Sequence, residues 1–118
     1  SSTNWTQLVS EAVIPSGNSR SSPQDITASG ITVSNKKVMY QKIYVQGSGG
    51  NVDITGNPQV TAGVSDGQEL LIVGRNDAQT VLLENGNGLS LNGPCELGED
   101  DSIKLSWDGA NWVEISRS

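Results

Sequence analysis

The densest group of chemistry-bearing side chains in the sequence is Glu99-Asp100-Asp101. Carboxylate oxygens suit Ca2+, above all where copies of a chain bring several sets together, but the spacing is not that of an EF-hand loop. Three adjacent carboxylates also make an ordinary solvated turn, and no metal ligand is assigned to them. A glycosidase needs two carboxyls held about 5–9.5 Å apart in a cleft. Neighbours in one turn supply such a pair poorly, although Asp53, Glu69, Glu84 or Glu114 from different chains could meet. The chain has no histidine, which removes the commonest general base and the commonest transition-metal ligand. Its single cysteine, Cys95, lies between Pro94 and Glu96. It can form neither an intrachain disulfide nor a zinc site, and it lacks the basic neighbours of a reactive thiolate. It reads as a small, semi-buried hydrophobe. Gly47-Ser-Gly-Gly50 and Gly86-Asn-Gly88 lead into no predicted helix with Lys-Ser/Thr behind it, so they are turns rather than phosphate cradles. The sequence therefore assigns no catalytic residue and no cofactor, and the expectation is that the protein is not an enzyme.

Aromatic residues offer a different chemistry. Trp107 and Trp112 flank the last turn. Placing Ile103 with Ile115 and Leu105 with Val113 on one face pairs residue 107 with residue 111 across a three-residue loop, Asp108-Gly109-Ala110. Trp107 then joins the apolar face, and Trp112 falls on the opposite face with Lys104, Ser106 and Glu114. A half-exposed indole there, beside Asn111 and Asp108, could stack on a sugar ring while its neighbours hydrogen-bond the hydroxyls. Packing of Trp112 against a neighbouring chain is the competing reading. Tyr40 and Tyr44 share a strand face with Val38 and Lys42 and read as core or interface packing.

The elements that must position these residues are strands. Ile, Leu and Val make up 28 of the 118 residues, above the roughly 20 % level below which chains stay disordered. Ala occurs five times and Phe never, whereas Gly, Ser and Asn supply 40 residues, so long helices lack their usual formers. No apolar run approaches the ~18 residues of a membrane span. The net charge is −6, with +2 on residues 1–50 and −8 on residues 51–118. Without a basic footprint, neither nucleic acid nor an anionic membrane surface is an expected partner. An N-terminal β segment over 1–46, containing a loop at 16–24, is expected to precede a C-terminal β domain over 47–118. Short strands are expected between Trp5 and Ile14, and a longer one over Lys36–Gln46.

From Val52 onward apolar centres recur about every 6–11 residues, bounded by turn sequences such as Asp66-Gly67, Asn85-Gly-Asn-Gly88, Asn92-Gly-Pro94 and Asp108-Gly109. This is the pattern of an all-β meander. Val52/Ile54, Leu89/Leu91 and Ile103/Leu105 alternate as half-buried strands should. Leu70-Leu-Ile-Val73 and Val81-Leu-Leu83 are continuous apolar runs that ask for cover on both faces. Neighbouring copies of the chain would supply that cover and close the strand edges. A compact monomeric sandwich is the alternative.

Three stretches carry a resemblance: Val45–Val60, Asp66–Leu89 and Trp107–Ser118. Within them stand the Asp66-Gly-Gln-Glu-Leu70 lead into a strand, the Thr80-Val-Leu-Leu83 rung before Asn85-Gly-Asn-Gly88, and the terminal Trp112-Val-Glu-Ile-Ser-Arg-Ser118. Together residues 43–118 resemble the C-terminal part of tailed-bacteriophage tail fibres and tailspikes. Cys95 and Glu99-Asp100-Asp101 depart from the small polar residues usual in that pattern. The resemblance implies an intertwined homotrimer, a β-prism or β-helix-like stack of short strands at the distal end of a virion appendage, with no cofactor. Leu70, Ile72, Val81, Leu83, Leu89 and Leu91 would form the trimer core. The implied work is trimer formation and attachment to the host cell surface, a polysaccharide in particular, with Trp112, Asn111 and Asp108 as the candidate glycan contacts. A virion protein assembled in the bacterial cytoplasm would leave the Asn4-Trp5-Thr6 glycosylation sequon unused. The alternative is a monomeric carbohydrate-binding β-sandwich module of a secreted bacterial protein.

Overall fold

The computed structural model describes residues 21–118. The strands expected between Trp5 and Ile14, the Asn4 sequon and the first part of the 16–24 loop lie outside the described residues. Within them the protein is all-β, with no helix. The strands are β1 (Gln24–Ile26), β2 (Tyr40–Gly47), β3 (Val52–Asp53), β4 (Glu69–Gly74), β5 (Val81–Leu83), β6 (Leu89–Ser90), β7 (Cys95–Leu97), β8 (Ser102–Trp107) and β9 (Trp112–Arg117). They form a six-stranded sheet in the order β1-β2-β4-β8-β9-β6 and a three-stranded sheet in the order β3-β5-β7. Strand β2 runs through residue 46 and pairs along its length with β4, so the segments on either side of that position share one sheet.

The chain stacks in successive circuits. Tyr40 pairs with Glu69, Val52 with Val81 and Ile31 with Val60, all parallel and all 29 residues apart. Leu89, a further 29 residues beyond Val60, pairs with Trp112. After Leu91 the chain turns at Asn92-Gly-Pro94 and retraces its path. Strand β7 runs antiparallel to β5, β8 antiparallel to β4, and β9 antiparallel to β8. The stack therefore ends in reversed strands. Gly74 shows how closely these layers approach, since a Cβ there would strike the carbonyl oxygen of Gly98.

Burial alternates along the apolar runs. In β4, Leu70 and Ile72 are buried while Leu71 and Val73 are half-buried on the outer side; in β5, Val81 and Leu83 are buried and Leu82 is half-buried. The expectation that these runs need shelter from other chains is corrected here. Leu70, Ile72, Val81, Leu83, Leu89 and Leu91, expected as a trimer core, are at most 8 % exposed within one chain. The inward residues of the two sheets belong to one hydrophobic cluster within the chain.

Two buried amides join the circuits. Gln59 donates through Nε2 to the carbonyls of Glu84 and Gly86 and accepts at Oε1 from the Glu84 N–H. Gln68 accepts at Oε1 from the N–H groups of Val64 and Ser65 and donates through Nε2 to the carbonyls of Lys36 and Val38. The side chains of both buried amides are thereby paired with loop backbone.

Candidate functional site

The last hairpin differs from its expected register by one residue. Trp107 pairs with Trp112, leaving Asp108–Asn111 as a four-residue turn. The Asp108 carboxylate accepts from the N–H groups of Ala110 and Asn111, and these bonds hold it below the usual carboxylate range. Gly109 takes the positive φ (98°) that the reversal requires. A one-residue change in loop length moves every following side chain to the other face of the strand. Trp112 consequently turns inward. It is 3 % exposed, meets Trp107 edge-on at 5.3 Å between ring centroids, and donates from Nε1 to the Thr61 carbonyl at 2.9 Å. The half-exposed indole expected for glycan contact is thus absent from this turn, and Asp108 and Asn111 remain exposed without it. A bulge at Lys104/Leu105 completes the shift. Ile103 lies opposite Arg117 and Leu105 opposite Glu114, while Ile115 is 57 % exposed instead of joining the core face.

The carboxylates are placed as follows. Glu84 hydrogen-bonds Asp53 across adjacent circuits, which raises the Glu84 carboxyl above its ordinary range, with burial and the Asp53 charge adding in the same direction. In the 98–101 turn, Asp101 accepts from the Gly98 N–H, and Asp77 from the Glu99 N–H. Among the described residues no group of three or more His, Cys, Asp or Glu side chains is arranged to hold a metal ion. Glu114 lies inside the capped end. Its carboxylate accepts from Arg117 Nε at 2.6 Å and from the Asn92 N–H, and the Arg117 bond lowers its pKa. Arg117 reaches on to the carbonyls of Gly93 and Pro94, tying the reversal to β9. Cys95 is buried beside this pair, and burial pushes its thiol up.

The outer faces of the two sheets carry the distinctive chemistry. On β2, Tyr40, Lys42 and Tyr44 point outward rather than into the core. Lys42 Nζ lies 5.1 Å and the Arg75 guanidinium 5.0 Å from the centre of the Tyr44 ring. Tyr40 is 71 % exposed and borders a shallow groove of about 240 Å3 with Lys42, Glu69, Leu71 and Lys104. Glu69 pairs with Lys104 at 3.1 Å. The register lines up Lys42, Leu71 and Lys104 as one outward row across β2-β4-β8. The other sheet carries a matching outward row of opposite charge, Asp53, Leu82 and Glu96 across β3-β5-β7.

Comparison with known protein families, with curated proteins and with solved structures found no match.

The charged rows and the buried amides were not read from the sequence, because both depend on the 29-residue register. A signal for it exists: Ile43, Val52, Ile54 and Val60 are spaced 9, 2 and 6 residues apart, as are Ile72, Val81, Leu83 and Leu89.

Proposed function

We propose that this chain is a structural and attachment domain of a tailed-phage tail fibre or tailspike, a β-helix-like stack that works as a homotrimer at the virion's distal end and adheres to a host-surface polysaccharide. The observation that carries this reading is the parallel register of successive circuits. Stacked circuits make a stiff, elongated body suited to bearing load, and the reversed strands β7 and β8, with β9 returning parallel to β6, give it a finished end. The resemblance of residues 43–118 to such fibre ends supports the same assignment.

Glycan contact belongs to the outer surface. Tyr40 presents the one mostly exposed aromatic ring among the described residues, and a tyrosine offers an apolar face for a pyranose together with a hydroxyl for hydrogen bonding. The test is a panel of immobilised bacterial lipopolysaccharides and capsular polysaccharides. Retention on at least one, lost with Tyr40→Ala and kept with Asn111→Ala, is the expected result. Absence of retention on all of them contradicts the attachment role.

One observation favours a second reading. A single chain already encloses Leu70, Ile72, Val81 and Leu83, as a monomeric carbohydrate-binding module of a secreted bacterial protein would. Solution mass separates the two.

A further inference from the structure

The two outward rows are alike in layout and opposite in sign. Each holds a charged residue, a leucine and a second charged residue on three adjacent strands: Lys42-Leu71-Lys104 in one sheet and Asp53-Leu82-Glu96 in the other. With strands about 4.8 Å apart, both rows span about 10 Å between their outer Cα positions. Leu71 and Leu82 are half-buried, and Lys42, Asp53 and Glu96 are exposed. The surroundings sharpen the contrast. The basic face, with Arg75 directly after β4, holds three of the chain's seven Lys and Arg residues against Glu69 and, on the β1 edge, Asp25, which accepts from Gln46. The acidic face adds Glu84, hydrogen-bonded to Asp53.

We infer that the Lys42-Leu71-Lys104 face of one copy docks onto the Asp53-Leu82-Glu96 face of the next. Charges of one sign meet the other, and the two leucines meet at the centre, out of water. The match of row to row across two different surfaces makes the contact heterologous, and a heterologous contact that closes on itself forms a ring. Three such contacts complete the homotrimer, so the inference rests on the trimer proposed above and supplies its interface. The neighbouring Asp53 and Glu84 carboxyls are a fitting counterpart for a lysine of the other row. Charged pairs of this kind set register and partner choice, and like charges brought face to face oppose association strongly. β2, β4 and β8 each have hydrogen-bonded neighbours on both sides, so an added strand from an extended peptide cannot be the occupant. An acidic protein of net charge −6 offers itself as the anion.

The test is charge reversal read by sedimentation of the full chain. Lys42→Glu with Lys104→Glu is expected to weaken association about a hundredfold or more, as is Asp53→Lys with Glu96→Lys. All four substitutions in one chain are expected to restore the assembly. Equimolar mixing of the two double variants gives a second readout, because one then carries two acidic rows and the other two basic rows, so mixed assemblies should appear where neither variant associates alone. Circular dichroism of each variant shows whether the fold is kept. If the wild-type chain is trimeric and both folded double variants remain so, the interface is overturned while the trimer stands. If the wild-type chain is monomeric throughout, both fall. If association is lost in the double variants and the fourfold variant fails to regain it while folded, direct pairing of these rows is overturned.

Discussion

Trp112 is the residue whose chemistry is most changed by its placement. Its sequence neighbourhood reads as a sugar platform, but a turn longer by one residue makes it a buried wedge bonded to Thr61. Trp112→Ala is expected to cost about 3–5 kcal/mol in urea denaturation, as for other buried aromatic truncations. Trp112→Phe should cost less, mainly through the Thr61 carbonyl losing its donor. Gln68 carries a comparable burden with no apolar surface. Its replacement by Leu removes four hydrogen bonds to loop backbone, and with a net contribution of about 0.5–1.5 kcal/mol per bond a loss of about 2 kcal/mol or more is expected. Glu114 sets an acid limit. Its pKa is lowered in the folded state by Arg117, so the stability it contributes is fully present above its ordinary value of 4.5 and is lost as pH falls through the lowered one. Thermal midpoints should therefore drop on acidification below about pH 4.5, and Glu114→Gln should start lower and show a shallower decline. An acid limb as steep in Glu114→Gln as in the wild type would show that the titrating group lies elsewhere.

At the scale of elements, the sequence made strands and turns legible because Gly, Asn and Asp mark reversals chemically. The inward leucines and isoleucines of β4 and β5 were legible too, since Leu70, Ile72, Val81 and Leu83 are the buried members of their strands. What each face met was not. A continuous run such as Leu70–Val73 is compatible with two-sided burial or with one buried and one half-covered side, and only the fold decides between them. The register of β9 was hidden for a similar reason, because Asp108-Gly109 can head a three- or a four-residue turn. Sidedness can be measured directly. Leu70→Ala is expected to cost about 2–5 kcal/mol, and Leu71→Ala markedly less in the dissociated chain. On β9, Ile115→Lys should lie within about 0.5 kcal/mol of the wild type, whereas the register inferred from sequence would make it as damaging as a charge in the core.

Across the whole molecule, the repeat that organises the fold leaves little trace in residue identity. Between residues 40–68 and 69–97 only Ile43/Ile72 and Val52/Val81 are identical at corresponding positions, because a stacked circuit constrains the size and polarity of inward residues and little else. The outward residues were free to diverge, and they diverged into a basic face and an acidic one. On the proposed reading the Tyr40 ring, the candidate for attachment, borders the same groove as the basic row proposed for assembly. Interfaces guided by such charges are screened by salt over a Debye length of about 10 Å at 0.1 M, so association should weaken as ionic strength rises. The most direct test is light scattering on the purified chain at low and physiological ionic strength. A mass of about 37 kDa, three times the 12.4 kDa of one chain, is expected at low salt; 12.4 kDa under both conditions contradicts the trimeric attachment domain.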